Sequence, residues 1–272
     1  MQNKSICACS NDGWLVLKDS QTDDYHLYNP ISTTSFQLPS LALEANIMEC
    51  FLCSTPDDDS NCRVVFFETV EDTTTMWYCR LGDEEFLRKD IVGSLCYGAV
   101  FQAKLYCFVW PEKTLALINF ETSNAVEFTP IMVGLPNIVL DAGIFHSVTY
   151  LIECSGELLL VVKMYYCFPS SCPDRVEGFR VLRFDFSKKT LVEQQDIGGW
   201  TIFLSYGRAM SCLAKEAGVK PNSIYFVERK DRNLHAFHIE DQSFTMSLPC
   251  PTISRSDSLL DWIMKLSVQE GN

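Results

Sequence analysis

Histidine is scarce in this 272-residue chain, with His26, His146, His235 and His238 the full set. None stands in a motif beside a candidate Ser or Cys, and no Gly-x-Ser-x-Gly elbow occurs, so the usual marks of nucleophilic catalysis are missing. Neither a Gly-x-x-x-x-Gly-Lys loop nor a Gly-x-Gly-x-x-Gly fingerprint is present, which removes the backbone device that commonly cradles nucleotide phosphates. Basic residues are few: 22 Lys and Arg face 35 Asp and Glu, a net charge of −13, and a polyanion such as DNA or RNA would meet repulsion. Long apolar runs are also absent. The stretch Leu158-Leu-Leu-Val-Val162 is far short of the roughly 20 residues that cross a bilayer. The first ten residues carry neither the apolar core of a secretory signal nor the arginines of a transit helix. The expectation is a cytoplasmic or nuclear protein that binds no nucleic acid, membrane, cofactor or metal.

What the chain does have is apolar content and cysteine. Hydrophobic residues make up 47% and charged ones 21%, a balance that buries a sizeable core and argues against disorder. The length suits one large all-β domain. The 13 cysteines are an odd number, and the apolar neighbours in Leu95-Cys96-Tyr97, Tyr106-Cys107-Phe108 and Tyr166-Cys167-Phe168 suit buried free thiols acting as small hydrophobes. Cys50-Phe-Leu-Cys53 is the only Cys-x-x-Cys, and with Cys62 and Cys79 it could be assembled into a zinc site. Structural zinc is normally held by two close pairs on tight knuckles, whereas Cys62 and Cys79 stand alone in different strand-like runs. His235 and His238 would lie on opposite faces of a strand, not together as ligands. The acidic runs Asp57-Asp-Asp59 and Asp83-Glu-Glu85 sit in turns, where a solvated loop is the simpler reading than an acid/base pair or a calcium site.

Short β-branched and aromatic runs dominate: Trp14–Leu17, Arg63–Phe67, Leu105–Trp110, Leu158–Lys163, Phe179–Phe184 and Ser223–Val227. No regular helical pattern separates them, which excludes alternating βαβ units. A weak repeat of strand, acid or amide, turn and second strand recurs at Tyr25–Phe36, Leu115–Val126, Phe179–Val192 and Leu234–Phe244, with a degenerate copy at Met76–Phe86. Taking Asn29, Arg80, Asn119, Asp185 and Glu240 as equivalent points, the intervals are 51, 39, 66 and 55 residues, close to the roughly 40–50 of one four-stranded propeller blade. Each repeat would be the outer hairpin of a blade. The fold class is therefore all-β, a β-propeller of five to six four-stranded blades over residues 1–251, in preference to a β-sandwich. Over residues 252–272 Leu259, Leu260, Trp262, Ile263 and Leu266 share a helical face behind Ser256 and Asp257, and a short C-terminal helix is expected. Trp110, Trp200 and Tyr206 fall near strand ends where loops would present them, with Arg208 beside the last, and these four are the candidate protein-binding residues.

Several segments then carry a family likeness. Tyr150-Leu-Ile-Glu-Cys-Ser-Gly-Glu-Leu-Leu-Leu-Val-Val162, Gly178-Phe-Arg-Val-Leu-Arg-Phe-Asp-Phe186, Trp200-Thr-Ile-Phe-Leu204 and Lys220-Pro-Asn-Ser-Ile-Tyr-Phe226 follow one another in order. Leu27-Tyr-Asn-Pro-Ile31 with Leu38-Pro39, Ser54-Thr-Pro56 and Leu105-Tyr106 precede them. Together they resemble the plant F-box-associated KIB-type β-propeller family. The resemblance implies a propeller that recognises client proteins, commonly behind an F-box that docks a Skp-type adaptor of a cullin ubiquitin ligase. Here the propeller signature begins by Gly13-Trp14, leaving no room for an F-box, and Leu38-Pro39 falls at a propeller strand end. Gly199 stands where the family more often has Asp. The functional expectation is a non-enzymatic protein-interaction propeller, at most the substrate-recognition component of a ligase, with a client of basic surface and without the Skp-type adaptor. The alternative is a hydrolase-like propeller enzyme with carboxylates in a central channel.

Overall fold

The computed structural model describes residues 4–9, 13–19, 21–22, 24–41, 47–56, 62–70, 73–92, 94–110, 114–120, 126–131, 144–166, 175–205, 208–228 and 233–246. The strands fall into five sheets in chain order. The first holds β1 (Lys4–Cys9), β2 (Leu15–Asp19), β3 (Tyr25–Tyr28) and β4 (Ser35–Gln37). The second holds β5 (Ile47–Leu52), β6 (Arg63–Val70), β7 (Thr73–Arg80) and β8 (Leu87–Val92). The third holds β9 (Ser94–Phe101), β10 (Lys104–Trp110), β11 (Thr114–Phe120) and β12 (Val126–Ile131), and the fourth β13 (Ile144–Cys154), β14 (Glu157–Tyr166), β15 (Arg175–Asp185) and β16 (Thr190–Gln194). The fifth comprises β17 (Trp200–Ser205), β18 (Arg208–Leu213), β19 (Ser223–Val227), β20 (Leu234–His238) and β21 (Ser243–Met246), with the one-turn helix α1 (Ala214–Ala217) between β18 and β19. The first three sheets lie in one compact unit and the last two in another.

In the first four sheets each strand pairs with the next in sequence, antiparallel throughout the first, second and fourth and between β9 and β10. This is the meander of a propeller blade; a Greek-key sandwich would instead pass strands between sheets. The expected outer hairpins are found. Asn29 follows β3, Arg80 closes β7, Asn119 lies in β11, Asp185 closes β15 and Glu240 lies between β20 and β21, so the five repeats map one to one onto the two outermost strands of five sheets. Their polar side chains set the turns: Asn29 Oδ1 accepts from the Ile31 N–H at 2.9 Å, and Asp185 Oδ1 from the Ser187 and Lys188 N–H groups at 3.1 Å each.

The fifth sheet departs from the expected four strands. Its order is β18-β17-β19-β20-β21, with β17 and β19 parallel from Thr201↔Ser223 to Leu204↔Phe226. Parallel neighbours cannot be joined by a tight hairpin and need a crossover. Here β18 and α1 supply it, and α1 stops at Gly218, whose left-handed φ of 67° closes the helix. The expected C-terminal helix over 252–272 lies outside the described residues.

Burial follows the blade pattern. Arg63–Val70 shows five consecutive buried residues, and Leu158 to Lys163 are all buried, because a middle strand is covered on both faces and so reads as a continuous apolar run. The outermost β16 is exposed at three of its five positions. Trp14, Tyr25, Leu27, Phe66 and Phe86 fill the core between the first two sheets, and Val65, Met76, Leu105 and Ile118 that between the second and third. Leu159, Val161, Phe179, Ile202, Ile224 and Phe226 fill the core between the fourth and fifth. Edge strands adjoin within each unit: Glu49 Oε2 on β5 accepts from the Gly98 N–H on β9 at 2.9 Å, and Ser211 Oγ on β18 donates to the Glu153 carbonyl on β13 at 2.6 Å.

Candidate functional site

Four candidate residues came from sequence, and only Trp200 has a described side chain. Trp110 closes β10 opposite Ser94, its side chain outside the described residues, and Tyr206 lies outside them altogether. Arg208 opens β18 opposite Ser205, whereas Trp200 pairs with Leu213 at the other end of the same hairpin. At about 3.3 Å per residue the two are some 17 Å apart along the strands. Trp200 and Arg208 therefore belong to opposite ends of the blade.

Around Trp200 two connections converge. Between β13 and β14 the chain reverses in two residues, Ser155 and Gly156, with φ of 56° and 73°. This is the primed turn that matches strand twist. Between β16 and β17 the connection is built on Asp196, whose Oδ1 accepts from the Gly198 N–H at 2.7 Å, and on Ile197, which buries its side chain in the core. Asn222 braces this turn from the start of β19. Its Oδ1 accepts from the Ile197 N–H at 3.0 Å, its N–H donates to the Trp200 carbonyl at 2.8 Å, and its carbonyl accepts from the Ile239 N–H at 3.1 Å. Held this way, Cys154, Ser155, Glu157, Leu159, Gln194, Asp196, Ile197, Gly198, Gly199 and Trp200 line a cleft of about 380 Å³. That is at the small end of the roughly 300–1,000 Å³ of ligand clefts.

Leu159 and Ile197 are buried, Glu157 and Asp196 exposed, and Trp200 half-buried. Arg183 Nε lies 3.3 Å from Glu157 Oε2 and offsets part of that charge. Burial pushes the Cys154 thiol up to about 12, so at neutral pH it is a neutral lining group, not a thiolate nucleophile. None of the described residues that line the cleft is a histidine. The described lining groups include the side chain of Trp200, the carboxylates of Glu157 and Asp196, and the apolar Leu159 and Ile197.

The described residues contain one Ser–His pair that sequence reading missed. Ser223 Oγ and His238 Nδ1 are 2.9 Å apart, and His238 Nε2 lies 3.3 Å from Thr245 Oγ1. Ser223 is fully buried and donates its proton to the Pro221 carbonyl at 2.9 Å, so its oxygen accepts from the imidazole and is no exposed nucleophile. His235 faces the other way, stacked on Phe226 with centroids 5.2 Å apart, as the strand alternation predicts. The four thiols weighed for zinc are divided. Cys62 and Cys79 lie in the core of the first two sheets with Cys50 against it, and Cys53 in that of the second and third. No group of three His, Cys, Asp or Glu able to hold a metal occurs among the described residues.

A buried cation was also not legible. Lys163 on β14 is 3% exposed, ion-paired with Glu228 just past β19. Its ammonium stands 4.5 Å from the Phe226 centroid, 5.2 Å from that of Tyr165 and 6.0 Å from that of Phe179. Sequence marked it only as the end of an apolar run.

Comparison with known proteins returns no match among curated proteins. Three solved structures share 10% identity with the chain. They are the AfRom2 CNH domain (TM-score 0.44; 89% of this chain and 69% of that one), AztD of Citrobacter koseri (0.38; 87% and 69%), and the uncharacterized protein lmo1340 of Listeria monocytogenes EGD-e (0.34; 92% and 84%). The family model of the KIB1-4 beta-propeller matches residues 1–244. With nine-tenths of its length matched and its strands gathered into five blade-like sheets, the chain belongs to the KIB1-4 beta-propeller family.

Proposed function

We propose that this protein is a non-enzymatic interaction propeller, akin to the client-recognition part of F-box ubiquitin-ligase adaptors, and that the loops around Trp200 hold its partner. The observation that carries this is the Trp200 cleft. A half-buried indole beside an open, rigidly braced concavity has the composition of an interaction hot spot, in which one aromatic anchor dominates and polar groups form the rim. The excess of acid over base favours a partner with a basic surface. Among the described residues no hydrogen bond joins a nucleophile of the cleft, such as Ser155, to a base, which weighs against the hydrolase reading.

Affinity capture with the tagged 272-residue chain from plant extract, scored by mass spectrometry against a Trp200→Ala chain, tests this. Partners enriched by the wild type and lost from the variant are expected, without a Skp-type adaptor. Recovery of the adaptor would replace the stand-alone reading with a ligase component that docks through its propeller. An identical protein set from both chains would remove Trp200 from the binding surface.

A further inference from the structure

Gly199 has no evident structural need to be glycine. Its φ lies outside the left-handed range, and a Cβ built on it would meet nothing within 4 Å. Its neighbour Gly198 does need the freedom, with φ of 65°. The missing side chain at 199 therefore serves neither conformation nor packing. Gly199 lines the cleft beside Trp200, and the space off its backbone is open.

The walls say what the space can take. The lining combines the apolar Leu159 and Ile197, the aromatic Trp200, and the exposed acids Glu157 and Asp196. Arg183 already partly neutralises Glu157, so Asp196 carries most of the uncompensated charge. An anionic group would be repelled, and a purely apolar one would leave the rim carboxylates desolvated without partners. A long side chain with an apolar stem and a cationic head satisfies all three surfaces. Between the two cations, guanidinium is planar, stacks on an aromatic face, sheds water more readily than ammonium and reaches two acceptors at once.

We propose that the cleft is an arginine-binding subsite that takes one guanidinium from an exposed segment of a partner protein, stacked on Trp200 and bonded to Asp196 and Glu157. The inference rests on the interaction reading above and adds the chemistry of the contact. Gly199 is its gate: a larger side chain there fills the subsite without disturbing a packed neighbour.

The test is a titration of the full chain with acetyl-Gly-Arg-Gly-amide, followed through the indole N–H resonances of its five tryptophans. Loss of one resonance in Trp200→Phe assigns it. The Trp200 signal is expected to move saturably, with a Kd on the order of 1 mM for a single side chain, while the other indoles stay still. The citrulline peptide, of the same shape without the charge, should bind at least about fivefold more weakly. Gly199→Leu should abolish the shift with the remaining indole spectrum intact. If that chain does not fold, Asp196→Asn, which keeps the Oδ1 cap on Gly198, should weaken binding severalfold. No movement of the Trp200 indole, an equal response to citrulline, or full binding by Asp196→Asn or a folded Gly199→Leu would overturn the assignment. If the titration fails while Trp200→Ala still loses captured partners, the arginine subsite falls and the interaction reading stands. If the peptide binds as expected but no partner depends on Trp200, the subsite stands and that reading falls.

Discussion

Glu228→Gln should destabilise this protein more than Lys163→Met, although both break the same ion pair. The reason is the unequal burial of the partners, with side-chain exposures of 4% for Lys163 and 26% for Glu228. Glu228→Gln takes away the negative charge that faces an ammonium buried against the core between the fourth and fifth sheets. Breaking a fully buried pair this way costs roughly 3–5 kcal/mol. The rings of Phe226, Tyr165 and Phe179 remain against the cation and return about 1–2 kcal/mol, so about 2–3 kcal/mol is expected. Lys163→Met keeps an unbranched stem of similar length among those rings and leaves Glu228 able to hydrate, for a cost of about 1 kcal/mol. The double variant Lys163→Met with Glu228→Leu should lie near the wild type, since an apolar replacement of a buried pair is often neutral. Equilibrium urea unfolding of these four chains together with the single variant Glu228→Leu, read by tryptophan fluorescence, closes the cycle and gives the coupling energy directly. If Lys163→Met proves the costlier single change, or the double variant loses the sum of both, the pair is held together by something other than the burial of its ammonium.

Burial holds the thiols of Cys53, Cys79 and Cys154 up to about 12. A thiol whose folded value is raised stabilises the fold fully below its unfolded value, near 9, and loses that contribution as pH rises towards 12. Urea midpoints should therefore fall from pH 9 to pH 11, by roughly a tenfold change in the folding equilibrium per pH unit per thiol, and Cys53→Ala should flatten the slope by about one proton; a slope unchanged by that substitution would refute the assignment. The turn between β9 and β10 holds Gln102 and Ala103 at φ of 50° and 56°, so Ala103→Gly should stabilise by about 0.5–1 kcal/mol. On the same hairpin Gly98→Ala should cost about 1–3 kcal/mol, because its Cβ would lie 2.6 Å from the Phe51 ring; thermal melts of the two chains should move in opposite directions.

Much of the architecture could be read before any coordinates because it is local. The alternation and turn residues at Tyr25–Phe36, Phe179–Val192 and Leu234–Phe244 specify hairpins by side-chain direction and backbone preference alone, and their recurrence gives a blade. Continuous apolar runs such as Leu158–Val162 announce a strand covered on both faces, and the apolar neighbours Tyr106 and Phe108 announce the buried thiol of Cys107. The sequence also singled out Trp200, since an aromatic at a strand end is visible as such.

What only the tertiary structure decided is what distant segments do to one another. Nothing local distinguishes β17 as the partner of both β18 and β19, because the parallel pairing depends on where the crossover through α1 lands. Asn222 looks like a turn residue, yet it fixes the connection before Trp200 from 25 positions away. Lys163 reads as the polar end of a strand, and its counter-ion lies 65 residues on. Glu157 and Asp196 are scattered surface acids in sequence and share one cleft only because two loops meet. Sequence by itself determined which segments are strands and which turn, since those preferences belong to single residues and their neighbours. The fold decided which charges, rings and empty spaces face each other, since that depends on the packing of whole sheets.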